Sequence, residues 1–163
     1  MIRARHTVAV LLTAALAACG AAESPTAPVP ADLPNPEPSL VGTFHGMFNG
    51  LDQGVMLAAS LQFSLTEASG VVIGTFAVQG RLDDGQSQTD VAGTGILTGT
   101  VASGDVATVS FTTESDLCPG HTSAFTGIYF RLTGVLGVEG RVDVVDPSCT
   151  VVLTFPIDLA MRR

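Results

Sequence analysis

Period-two alternation of apolar and polar residues runs through most of the chain after position 39. It is clearest over 55–66, where Val55, Leu57, Ala59, Leu61, Phe63 and Leu65 share one face and Met56, Ala58, Ser60, Gln62, Ser64 and Thr66 the other. Such alternation marks a half-buried strand, and amphipathic helical spacing is scarce. The pattern predicts eight strands, at 40–48, 55–66, 71–82, 91–101, 105–113, 123–132, 134–144 and 150–159. Short strands broken by Gly, Asp and Ser belong to an all-β sandwich or barrel.

The gaps between these strands alternate in length. Glu67–Gly70, Ala102–Gly104 and the single Thr133 are short enough for tight hairpins, whereas 49–54, 83–90, 114–122 and 145–149 are longer. Alternate loops of a meander lie at the same end. The reading is therefore an eight-stranded antiparallel up-and-down barrel, closed at one end by tight turns and rimmed at the other by longer loops. The expected inward face includes Phe44, Phe48, Leu61, Phe63, Val72, Phe76, Val78, Val109, Phe111, Ile128, Phe130, Leu136, Val138, Leu153, Phe155 and Ile157. Glycines within strands (Gly46, Gly74, Gly99 and Gly127 among them) permit the sharp coiling that closure needs. Pro156 cannot donate to a ladder, so the last strand is bulged or forms an unpaired edge, and the barrel is expected to be incompletely closed there.

The N-terminus obeys a different pattern. Arg3 and Arg5 precede an apolar run from Val8 to Ala18 that is too short to span a bilayer but suits a signal peptide. Leu16-Ala17-Ala18-Cys19 then resembles the lipobox of bacterial lipoproteins. That resemblance implies cleavage of the signal peptide 1–18 and lipidation of Cys19. The membrane would then be a partner through the anchor, in the cell envelope outside the cytoplasm. Gly20 in place of Asp points to the outer membrane of a Gram-negative cell. Residues 23–38 hold six of the nine prolines and read as an extended, solvated spacer. At about 3.1 Å per residue, this tether (19–38) would hold the domain at 39–163 up to roughly 50–60 Å from the lipid.

Composition narrows the partners. Charged residues are 13% of the chain and mean hydropathy is +0.44, so there is apolar surface for a core. All fifteen acidic residues follow Cys19 while Arg3 and Arg5 precede it, so the exported part is more acidic than the −8 of the whole chain. Such a surface repels phosphate backbones, and nucleic acid is not expected as a partner. A transmembrane barrel needs aromatic girdles, which one Tyr and no Trp do not supply.

Cys118 and Cys149 fall in the fifth and seventh inter-strand gaps, at the same end of the meander. In an oxidising compartment they are expected to form a disulfide. Cys118-Pro119-Gly120-His121 also has the CxxH form of a metal half-site, but the disulfide takes both thiols and no metal or cofactor is expected. Asp52, Asp83, Asp84, Asp90, Glu114, Asp116 and Asp146 form an acidic rim without a calcium-loop spacing. Tyr129, Arg131, Glu139 and Arg141 are expected on one outward face as a cross-strand charge pair. With no G-x-S-x-G, HExxH or phosphate-loop motif, catalysis is not expected.

The repeated Gly-Thr-Phe starts, Gly42-Thr43-Phe44 and Gly74-Thr75-Phe76, and the hairpin order resemble lipocalin-like and avidin-like small barrels in pattern. The lipocalin Gly-x-Trp signature and avidin's ligand aromatics are missing, so the resemblance implies a fold and no site residues. Two functions stay open. One is a barrel holding a small apolar ligand, with Phe44, Phe63, Phe76, Phe111, Phe130 and Phe155 as the candidate contacts. The other is a structural lipoprotein with a filled core, meeting an envelope protein through its acidic loops.

Overall fold

The computed structural model describes residues 39–163; the expected signal peptide, Cys19 and tether lie outside the described residues. The strands are β1 Gly42–Asp52, β2 Val55–Ala68, β3 Val71–Asp83, β4 Gln88–Val101, β5 Val106–Ser115, β6 Thr122–Phe130, β7 Val135–Val145 and β8 Val151–Met161. They form one eight-stranded antiparallel sheet in chain order, and β1 comes back against β8. The expected barrel is thus present, with one seam left unsealed.

Two loops differ from expectation. The β1–β2 connection is only Gln53-Gly54, because β1 runs on to Asp52; both turn residues have positive φ (49° and 83°), the mark of a type I′ hairpin. The β6–β7 loop spans 131–134 rather than Thr133 alone. We call the end with loops 53–54, 84–87, 116–121 and 146–150 the mouth, and the end with loops 69–70, 102–105 and 131–134 the base. The second Gly-Thr-Phe lies within β3 rather than at its start.

Strand β6 faces opposite to the expected way. Phe125 and Tyr129 are buried, whereas Ile128 and Phe130 are 41% and 42% exposed on the outer wall. Counting Ile128 and Phe130 as core because they are apolar shifted the strand by one residue, and such a shift exchanges the two faces completely. The expected outward cluster fails for the same reason: Tyr129 and Arg131 are buried, while Glu139 and Arg141 are exposed.

The base half of the barrel is filled. Phe44, Leu65, Val72, Leu136 and Met161 are buried there, and Phe44 meets Tyr129 edge to face at 6.0 Å between centroids. Polar groups close the floor. Arg131 donates from Nε to Gly104 O (2.9 Å) and from Nη2 to Ala102 O (3.1 Å), and lies 3.6 Å from Glu67. Glu67 in turn accepts the Leu40 N–H at 2.6 Å. Arg163 donates to Ser39 O and Tyr129 Oη, both at 2.8 Å, and its guanidinium stacks over Phe44. Leu40, fully buried, thus enters the core from below.

The seam has a physical cause. At the base, His45 and Arg162 exchange backbone hydrogen bonds of 2.7 and 3.0 Å. Alternate residues of a strand point their N–H the same way, so Ala160, Asp158, Pro156 and Thr154 also face β1. Thr154 N–H is taken by the Asp52 carboxylate at 2.8 Å instead of by backbone, and Pro156 has no N–H to give. Between these points inward side chains do the sealing: an added Cβ at Gly46 would overlap Leu159, and one at Gly50 would lie 2.8 Å from Phe155. Pro156 therefore stays within regular β7–β8 pairing, opposite Arg141, at no loss to that ladder.

Candidate functional site

The mouth half of the interior is lined by smaller side chains than the base. The inward row of β4 reads Val91, Gly93, Gly95 going in from the mouth, β5 contributes Thr113 and Ser115, and β6 contributes Ser123. What they leave is a cavity of about 330 Å³ opening at the mouth. This is at the small end of the range for ligand pockets. Its apolar wall is Leu57, Leu61, Phe63, Phe76, Val78 and Phe125. Phe63 packs edge to face on Phe111 (5.8 Å) and Phe125 (5.9 Å), which holds the aromatic floor rigid.

Of the six phenylalanines expected to contact a ligand, Phe63 and Phe76 line the cavity. Phe44, Phe111 and Phe155 are buried in the packed core and do not line it, and Phe130 is on the outside wall. Sequence reasoning missed Phe125. The signal that would have found it is the Ser123, Phe125, Gly127, Tyr129 row, which ends in the one Tyr of the chain.

The rim is built by the β5–β6 and β7–β8 loops, joined by the Cys118–Cys149 disulfide with Cα atoms 5.5 Å apart. The disulfide expected from the sequence is therefore present. It fixes the loop that carries His121, whose N–H donates to Cys118 O at 2.9 Å. His121 Nε2, itself out of solvent, faces Asp143 Oδ2 at 3.3 Å, within ion-pair distance but without a well-aligned hydrogen bond. Asp143 accepts from Thr154 Oγ1 at 2.8 Å. His121, Asp143 and Arg141 all border the cavity. The site thus combines an apolar floor with a polar collar.

Most of the remaining rim acids serve their own loops, while Asp90 pairs with Arg81 across β3 and β4. Asp84 accepts from the N–H groups of Ser87 (2.6 Å) and Gln86 (2.8 Å). Asp146 accepts from Ser148 Oγ (2.6 Å), and from the N–H groups of Thr150 and Ser148 (both 2.9 Å). Asp83 accepts from Gly85 N–H at 2.8 Å. Hydrogen bonds to the charged form hold all three carboxyls below their ordinary 3.8: the Gly85 and Ser87 amides lead for Asp83 and Asp84, the Ser148 hydroxyl for Asp146. Glu114 takes Gly120 N–H at 3.0 Å and Asp116 takes Thr94 Oγ1 at 2.9 Å. Among the described residues no group of three or more His, Cys, Asp or Glu is placed to hold a metal ion.

Comparison with protein-family models, curated proteins and solved structures finds no match to this chain.

Proposed function

We propose that this protein is an exported, lipid-anchored binding protein whose barrel takes a small ligand with an apolar body and one polar group. The observation that carries the reading is the cavity: it is apolar at its floor and bordered at its mouth by a polar collar of Thr113, Ser115, Ser123, His121, Arg141 and Asp143. A ligand hydroxyl, carbonyl or carboxylate at the collar would pair with the Thr113, Ser115 and Ser123 hydroxyls or the Arg141 guanidinium, which border the same space. The apolar remainder would lie on Phe63, Phe76 and Phe125. The alternation of arginine-led n-region, apolar run and Leu16-Ala17-Ala18-Cys19 supports export and anchoring. Binding, rather than catalysis, is the role assigned.

Native mass spectrometry of the protein purified from envelope extracts without reduction tests this. An adduct of low molecular mass, released on denaturation and absent from Ser123→Phe, supports the binding reading, because that ring would occupy the cavity. A bare mass in wild type refutes it and favours action through the loops on an envelope protein. The same spectrum reads acylation of Cys19: an unmodified cysteine on an uncleaved chain refutes the anchor.

A further inference from the structure

The two ends of the barrel differ in charge and in surface. The mouth is strongly acidic, with Asp83, Asp84, Asp116 and Asp146 among its carboxylates and only Arg81 and Arg141 opposing them among the described residues. The base gathers Arg131, Arg162 and Arg163 against Glu67 and Asp105. An open groove crosses the base, lined by Tyr129, Arg131, Leu132, Val135, Arg162 and Arg163. Beside it apolar side chains stand in solvent: Leu132 at 82% exposure, Val106 at 60%, and Phe130, which is paired directly with Val106 across β5 and β6. The base also receives the N-terminal part of the chain, since Ser39 and Leu40 join β1 there.

From this we infer that the base is a docking surface for an anionic lipid bilayer. Arg162 and Arg163 would meet headgroup phosphates, while Leu132, Phe130 and Val106 would enter the interfacial layer. Arginine forks suit phosphate oxygens, and each basic side chain near an anionic surface strengthens binding about fivefold. The mouth carries exposed apolar residues too, Leu117 and Met56, but they sit among carboxylates that an anionic surface repels. Docking would therefore orient the cavity away from the membrane, so that ligand is exchanged with the aqueous side. This goes beyond anchoring, since the folded domain itself supplies the contacts.

The chain has no Trp, so a single introduced indole reports its own depth. The full chain carrying Cys19→Ser, which cannot be acylated, is mixed with phosphatidylethanolamine/phosphatidylglycerol vesicles containing brominated acyl chains. One protein carries Leu132→Trp at the base and another Leu117→Trp at the mouth, both at exposed positions. The expected result is a blue shift and quenching at 132 and neither at 117. Because the N-terminal residues are the same in both, any binding they cause cancels from the comparison. Adding Arg162→Gln to the base reporter is expected to weaken binding about fivefold at low salt. Equal quenching at both positions, stronger quenching at 117, or an unchanged affinity with Arg162→Gln overturns the inference. No response at 132 overturns it as well, and leaves the base to a protein partner. Acylation is read separately by mass, so failure of the anchor and failure of docking remain distinct.

Discussion

Strand β6 offers a sharp test, because two phenylalanines five residues apart lie on opposite faces. Phe125 is 4% exposed and meets Phe63 edge to face at 5.9 Å, whereas Phe130 stands on the outer wall. Truncating a buried Phe to Ala typically costs about 3–5 kcal/mol. Phe125 borders an existing cavity, so the gap it leaves merges with space already present, and we expect about 3 kcal/mol for Phe125→Ala. Phe130 keeps part of its ring against Val106, so Phe130→Ala should cost about 1 kcal/mol or less. For a domain of this size the first change lowers Tm by roughly 10–15 °C and the second by less than about 5 °C. Urea unfolding followed by circular dichroism measures both, with equal m-values required for the comparison to hold. If Phe130→Ala proves as damaging as Phe125→Ala, β6 is in the other register and the cavity wall described above is wrong.

Three further outcomes follow from the base, the rim and the loops. Replacing Cys118 and Cys149 by Ser opens a loop of sequence separation 31 and should destabilise by roughly 3–4 kcal/mol, read as a lower urea midpoint; no change would mean the loops hold without it. Arg131→Met strands the Ala102 and Gly104 carbonyls and leaves Glu67 with the Leu40 amide, so it should cost about 3 kcal/mol; adding Glu67→Gln should recover part of that, and a strictly additive double variant would refute the coupling. Asp83, Asp84 and Asp146 have carboxyls held below 3.8, so the stability they lend is complete above about pH 4 and lost as pH falls through their folded values. Protection factors of the Gly85, Ser87 and Thr150 amides, corrected for the intrinsic pH dependence of exchange, should then fall only below about pH 4, and a fall on going from about pH 7 to 5 would contradict the assignment.

Much of this architecture was legible because a strand's period is short and its faces differ. Eight strands, their meander order and the pairing of Cys118 with Cys149 all follow from alternation and from which gaps share an end. Pro156 also announced the seam, although not its form. The chain places proline where the missing N–H points at β1, so β7–β8 pairing is regular around Pro156, and the ladder's one register shift falls nearer the mouth, where Val144 and Val145 oppose Leu153 and Val151. Face assignment failed on β6, where apolar residues occupy both sides: Ile128 and Phe130 outside, Phe125 and Tyr129 inside. Hydrophobicity cannot orient such a strand. What orients it is polar chemistry, since Tyr129 Oη has Ser39 O and Arg163 within reach only from the interior. Long-range partners of that kind are invisible to local pattern.

Whether the interior is filled or hollow was equally beyond composition, because both outcomes use the same residues. The answer lies in how side-chain size is graded along the inward rows of β5 and β6. β6 runs from Ser123 at the mouth through Phe125 to Tyr129 at the base, and β5 from Ser115 and Thr113 to Phe111. Large rings and Leu40 therefore meet at the base and fill it, while hydroxyls and glycines face one another at the mouth and cannot. Bulk at one end gives the closed floor and its arginine plug, and its absence at the other leaves the cavity beneath His121. The same gradient separates the two surfaces: the end that packs its core tightly also carries Arg162, Arg163 and Leu132 outward, and the end that stays open carries the carboxylates. A barrel built this way has one face suited to resting on lipid and one suited to receiving a ligand, and the two tests proposed above probe those faces independently.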